Sequence, residues 1–255
     1  MEKIKIMILE NIPSMNKGEM LILDGMLESF KIFDDYKVSL LSDMPYIDIE
    51  RYESRDVEVI DIRKSFCISK DTNNNPFLRY FYSIFVFIQH LLFVIFYKIF
   101  DKNVLKLFKA NIWNEYLDND LFIIGHNGSF SAGWAMLKTP LTFYYFYIII
   151  FAKIIGKKIV IYGGSIPRFK RFKWFLNNIT KITLNKIDLI TLREESSYDN
   201  LKIIGFNGKA FVLPDLAFLS PPYTQNNVLN LNSELKNIKN DKFLIGMTIT
   251  REIAF

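Results

Sequence analysis

Short apolar runs alternate along most of this chain with stretches whose apolar residues recur every three or four positions, the pattern of strands followed by helices. Ile4 to Leu9 predicts a first strand, and a polar loop with Asn11, Pro13, Ser14, Asn16 and Gly18 follows it. From Glu19 to Phe33, Met20, Leu23, Leu27 and Phe30 fall at helical intervals, which puts the loop at a helix N-terminus. Lys37 to Leu41 and Val57 to Ile62 predict two more strands, joined by polar connectors. Later in the chain the alternation is regular. Leu121 to Ile124 ends in Gly125-His126-Asn127-Gly128-Ser129 and leads to a helix through Tyr144 and Ile150; Lys158 to Tyr162 ends in Gly163-Gly164-Ser165-Ile166-Pro167-Arg168 and leads to a helix reaching Leu184. Leu189 to Leu192 is followed by Arg193-Glu194-Glu195-Ser196-Ser197 and a short helix to Ile203, and Ala210 to Leu213 ends at Pro214-Asp215. Strands alternating with helices at this spacing predict an α/β fold with a parallel, doubly wound sheet. In such a sheet the loops at the strand C-termini line the ligand crevice, and the informative polar residues all fall in those loops.

Two stretches break the rhythm. Phe81 to Phe100 is nearly continuous in apolar residues, interrupted by Ser83, Gln89, His90 and Lys98, and is long enough to cross a bilayer. A crossing would put the later strands of one sheet on the opposite side from the first. The expectation is therefore a crossover helix buried in the domain, or one dipping an apolar face into the membrane interface. Leu141 to Ile155, also rich in aromatics, would extend such a membrane-facing patch. At the other end, Ser220 to Asp241 turns polar and Asn-rich after Pro221-Pro222, and Lys242 to Thr250 begins a fresh strand shortly before Phe255. This divides the chain into a lobe at 1–219, a linker at 220–241 and, at 242–255, the start of a second lobe that is expected to be cut short.

Composition narrows the partners. Half the residues are apolar, which excludes a disordered chain. The net charge of +5 comes from basic residues mixed with acidic ones, a balance that suits an anionic substrate or a membrane surface. No zinc-finger, KH or RNP pattern is present, so no nucleic-acid partner is expected. Cys67 is the only cysteine, and a lone thiol fits a reducing compartment. Met1 to Glu10 reads as a strand and not as a secretory leader, so the expected location is cytoplasmic, with peripheral contact at the inner face of the membrane.

Common catalytic signatures are missing: there is no Walker loop, no dinucleotide glycine fingerprint, no HExxH and no nucleophile elbow. With His90 and His126 the only histidines, no metal site is expected, and no cofactor. His90 lies within the apolar stretch and reads as a packed or interfacial side chain, whereas His126, between glycines at a strand end, fits either a functional or a structural role. The glycines at 125–128 and 163–164 let backbone approach a ligand, with helix N-termini beyond to meet an anion; tight turns alone would also account for them. Arg168 and Arg193 stand just past strands, where a guanidinium can grip an oxyanion or pair with Glu194 or Asp215. Ser196 and Ser197, with Asp199 following, look like a helix cap.

Taken in order, these segments resemble the polysaccharide pyruvyl transferase family. Asn16-Lys17-Gly18-Glu19 resembles its asparagine, glycine and acidic residue after the first strand, and Leu121 to Gly125 with Asn127-Gly128-Ser129 resembles its glycine-rich strand end. Gly163-Gly164-Ser165-Ile166-Pro167 is similar to its GxSIGP segment, with Arg168 where the family's order differs; Leu192 to Ser197 is similar to VRExxS, and Leu213 to Phe218 to DPAF. The resemblance runs from Met1 to about Arg251 and is weakest across 66–119. It implies two Rossmann-like lobes in a glycosyltransferase-B-like arrangement. It also implies transfer of a pyruvyl group from phosphoenolpyruvate to a sugar hydroxyl or hydroxyl pair, with a glycan or lipid-linked saccharide as acceptor in surface glycan biosynthesis. On this reading Asn16, Gly18, Asn127, Gly128, Ser129, Gly164, Ser165, Arg168, Arg193 and Arg251 bind substrate, and Glu19, His126 and Asp215 are candidates for proton transfer. Two rivals stand beside it: a nucleotide-sugar glycosyltransferase of similar fold, and a noncatalytic glycan-binding or assembly module.

Overall fold

The computed structural model describes residues 3–9, 17–42, 44–62, 76–125, 141–166 and 173–221. By contacts the chain divides into Met1–Ser220 and Pro221–Phe255; apart from Pro221 the second unit, with the expected linker and second-lobe start, lies outside the described residues.

The first unit is a seven-stranded parallel sheet in the order β3-β2-β1-β4-β5-β6-β7. Its strands are β1 (Ile4–Ile8), β2 (Tyr36–Ser42), β3 (Val57–Asp61), β4 (Leu121–Ile124), β5 (Lys158–Gly164), β6 (Leu189–Leu192) and β7 (Ala210–Val212). β1 pairs with β2 on one side and β4 on the other, with Ile6 opposite Val38 and Leu121. The chain order reverses there, which makes the fold Rossmann-like and doubly wound.

Alternation along the strands divides the core in two. Ile6, Ile8, Val38, Leu40 and Ile123 face helix α1 (Lys17–Phe30). Their neighbours Met7, Leu9, Leu41, Phe122 and Ile124 face the opposite layer. That layer holds α3 (Pro76–Phe100), α4 (Asn111–Asp118), α5 (Leu141–Ile154), α6 (Lys173–Leu184) and α7 (Glu195–Ile204). A period of two sends adjacent residues to opposite faces, so strands covered on both sides read as unbroken apolar runs.

Helix α1 begins at Lys17 and stops at Phe30, three residues short of expectation, because Ile32 and Phe33 lie in an exposed turn. Two helices lie where the sequence suggested only polar connectors or gave little signal. One is α2 (Pro45–Tyr52), started by proline at its first position; the Ser42 hydroxyl donates to Asp48 in its first turn. The other is α4, whose Ile112, Trp113, Tyr116 and Leu117 are buried.

The long apolar stretch folds as α3 in the crossover from β3 to β4, with strands before and after it hydrogen-bonded in one sheet. It therefore does not cross a bilayer. Nor is it sunk in the domain as a buried crossover helix would be: Val86, His90 and Phe93 face inward, while Ile84, Ile88, Leu91 and Ile95 are 44 to 48 % exposed. His90 is packed among the rings of Trp113, Tyr116, Tyr147 and Phe151, with centroids 5.0 to 5.5 Å away. Its Nδ1 lies 2.8 Å from the Val86 carbonyl and its Nε2 3.1 Å from the Tyr116 hydroxyl. A carbonyl only accepts, so Nδ1 carries the hydrogen and Nε2 accepts from Tyr116. Burial pushes this histidine down to about 4, and the ring is neutral at neutral pH.

Candidate functional site at the rim of β5, β6 and β7

All strands are parallel, so every strand-end loop opens at one rim of the sheet. At the switch point, the segments after β1 and β4 lie outside the described residues, and with them Asn16, His126, Asn127, Gly128 and Ser129. Arg168 and Arg251 also lie outside. Gly18 and Glu19 are in the first turn of α1, which follows β1 and so starts at this rim; Glu19, half-buried, places its carboxyl at the positive end of the helix dipole.

The rim is best defined at β5, β6 and β7. β5 runs two residues past its expected end, and the register shifts between Ile161 and Gly164, so that Gly164 pairs with Leu192. Gly163 takes a φ of +71° at this bulge, which calls for glycine, and a Cβ there would stand 3.0 Å from Leu216 Cδ1, close enough that the leucine would have to shift slightly. The Thr191 hydroxyl on β6 accepts the Gly163 N–H at 2.8 Å, which satisfies a donor freed by the irregularity. The bulge delivers Ser165 to Arg193, just beyond β6: Arg193 Nε donates to Ser165 Oγ at 3.1 Å. One terminal nitrogen of Arg193 donates to Asp215 Oδ2 at 2.8 Å, just beyond β7.

Three neighbouring strands thus place Ser165, Arg193 and Asp215 in one hydrogen-bonded row. Asp215 is itself fixed, because its Oδ1 accepts the Ala217 N–H at 3.0 Å and caps the 3-10 turn Leu216–Leu219. That turn is clasped to α1: a Cβ on Gly25 would fall 1.7 Å from the Leu216 carbonyl oxygen, so only glycine permits the approach.

Beside this row, the Ser165 hydroxyl and then the Ser197 hydroxyl hold the Glu194 carboxyl below the usual carboxylate range. Ser197 departs from the expected capping role. The cap position of α7 is Glu194, and Ser197 is buried one turn in; its Oγ accepts the Ile166 N–H at 2.9 Å and donates to Glu194 at 2.9 Å. Asn200 donates to the Ile166 carbonyl at 2.8 Å. Thr191, Ser197 and Asn200 therefore fix the backbone around Ser165, a part that the sequence reading missed. For Ser197 there was a signal, since it is the serine of the VRExxS-like segment.

The chemistry open to this row is anion recognition. Arg193 and Asp215 have side chains 22 % and 28 % exposed. The guanidinium has five N–H donors; two are engaged, and the other three have no partner among the described residues. A rigidly aimed guanidinium with donors to spare suits a carboxylate or phosphate.

Comparison with known proteins adds the family. A solved structure of a Listeria monocytogenes protein assigned as a UDP-N-acetylglucosamine 2-epimerase aligns at 14 % identity and a TM-score of 0.47, over 91 % of this chain and 52 % of that one. The chain thus spans about half the length of that protein. No curated protein sequence matches it. The sequence profile of the polysaccharide pyruvyl transferase family matches residues 16–251 and so takes in every described strand but β1. On that match the chain belongs to the polysaccharide pyruvyl transferase family, a family of transferases that modify polysaccharides.

Proposed function

We propose that the β5, β6 and β7 rim holds phosphoenolpyruvate while its pyruvyl group passes to a hydroxyl pair of a glycan or lipid-linked saccharide in surface glycan biosynthesis. The observation that carries this reading is the Arg193 guanidinium, aimed by Ser165 and Asp215 with further donors turned to no described residue. In the reaction, the enol methylene gains a proton from an acid, and one sugar hydroxyl bonds through its oxygen to the neighbouring carbon and gives up its own proton to a base. The second hydroxyl then displaces phosphate, its proton leaves, and a ketal results. Arg193 binds the anionic donor and steadies charge on the departing phosphate. Both oxygens of Asp215 accept N–H groups, so its task in this scheme is to aim the guanidinium. Glu19 and His126 are assigned the proton transfers. Gly18, Gly164, Asn16, Asn127, Gly128 and Ser129 are assigned to backbone and side-chain contacts with substrate, and Arg168 and Arg251 to further charge on the donor.

Isothermal titration with phosphoenolpyruvate tests the proposal. Saturable binding is expected, weakened about 100-fold in Arg193→Gln, since charge-assisted bonds contribute roughly 1.5 to 3 kcal/mol each. Binding that survives Arg193→Gln unchanged would falsify the donor assignment. Binding of a nucleoside diphosphate in place of phosphoenolpyruvate would point to the glycosyltransferase rival.

A further inference from the structure

The outer face of α3 serves no part of the rim chemistry. Ile84, Ile88, Leu91 and Ile95 follow one another at four, three and four residues and so form a single line along the helix, each nearly half exposed. Phe81 and Ile99 extend the line at its two ends, both more than half exposed. The helix has 25 residues, a length of about 37 Å. An apolar strip of this length lies well outside the scattered single exposures normal for a soluble surface.

Charge identifies what covers it. No acidic residue occurs from Pro76 to Phe100. In the last turn and just past it, Lys98, Lys102, Lys106 and Lys109 are all exposed with only Asp101 among them, and the 3-10 segment Asp101–Lys106 folds back against the end of α3, where Phe108 meets Phe93 and Phe96. An apolar strip ending in a lysine cluster complements acyl chains beneath anionic headgroups. The inner face remains docked on α4 and α5 through His90 and Phe93, so lipid can reach one side of the helix only.

We infer that α3 lies in the interface plane of an anionic bilayer, its outer face among the upper acyl chains and its C-terminal lysines at the headgroups. This rests on the surface alone, and its failure would leave the donor reading of the rim untouched.

The experiment is flotation of the full chain with vesicles of phosphatidylcholine, with and without about three-tenths phosphatidylglycerol. The protein is expected to float with the anionic vesicles, at least tenfold more tightly than with neutral ones, and to be released by salt. I88E/L91E/I95E should stay in the dense fraction while unfolding at the same temperature as the parent. Should that variant fold poorly, I88W supplies an independent readout, its new indole emission being quenched by brominated acyl chains. The inference is overturned if the parent remains in the dense fraction, if the folded glutamate variant still floats, or if the emission gained in I88W is not quenched. It is equally overturned if parent and variant both ignore vesicles and the parent is a dimer that the variant splits, since a second copy would then be what covers the strip.

Discussion

Helices α1 and α3 both cross between parallel strands, on opposite faces of the same sheet, yet they meet their surroundings in opposite ways. α1 has 14 residues and buries more than half of them, including Asp24, whose carboxylate accepts from Arg55 at 3.0 Å, and Gly25, pressed against the Leu216 carbonyl. α3 is far more apolar but leaves a whole side uncovered. Apolar content alone thus does not measure burial. α1 is fitted into place by small and polar residues at specific contacts, whereas α3 carries apolar surface beyond what the sheet can cover.

The comparison can be broken first at α1. Gly25→Val should drive a side chain into backbone that cannot yield, costing about 4 kcal/mol or preventing folding, as measured by urea unfolding; a loss under about 1 kcal/mol would show that the turn Leu216–Leu219 can move away freely. The inner face of α3 gives the next effect. His90 is held down to about 4, against about 6.5 when unfolded. Above both values the ring is neutral in either state, and as the pH falls below 6.5 the unfolded chain takes up a proton that the folded one refuses. Stability present at neutral pH is therefore lost between pH 6.5 and 4, by on the order of 3 kcal/mol; His90→Phe should flatten that part of the pH profile. Asp215→Ala removes the cap on Ala217 and the partner of Arg193, and should cost about 1 to 2 kcal/mol in the same assay while weakening phosphoenolpyruvate binding. Smallest of all, Ile88→Glu on the outer face of α3 should change stability by less than about 0.5 kcal/mol. A large loss there would mean that the strip is covered within the monomer.

Much of this was readable from the chain. Buried parallel strands are short unbroken apolar runs, so Leu121 to Ile124 and Leu189 to Leu192 marked themselves, and with them the polar residues at their ends. The parts that stayed hidden depend on distant partners. Nothing local signals that Thr191 takes up the Gly163 amide, or that Asn200 reaches Ile166, 34 residues away. The sequence likewise left Arg193 facing either a ligand or a carboxylate, and the fold brings Asp215 to it across 22 residues. In α3 the obstacle was different: one composition fits a core, a lipid surface or a span, and neither the single sheet that holds the strands on both sides of it nor the exposure of its outer face is written in that composition.

The clasp between Gly25 and Leu216 joins the earliest crossover to the last stretch of the lobe, 191 positions further on. Closing so long a loop directly is entropically costly, and the strands that lie between its ends are what shorten it. During synthesis, then, the anion-gripping row has no lasting existence until the ribosome has released nearly the entire lobe, and a nascent chain halted short of Leu216 would hold a sheet without a working edge.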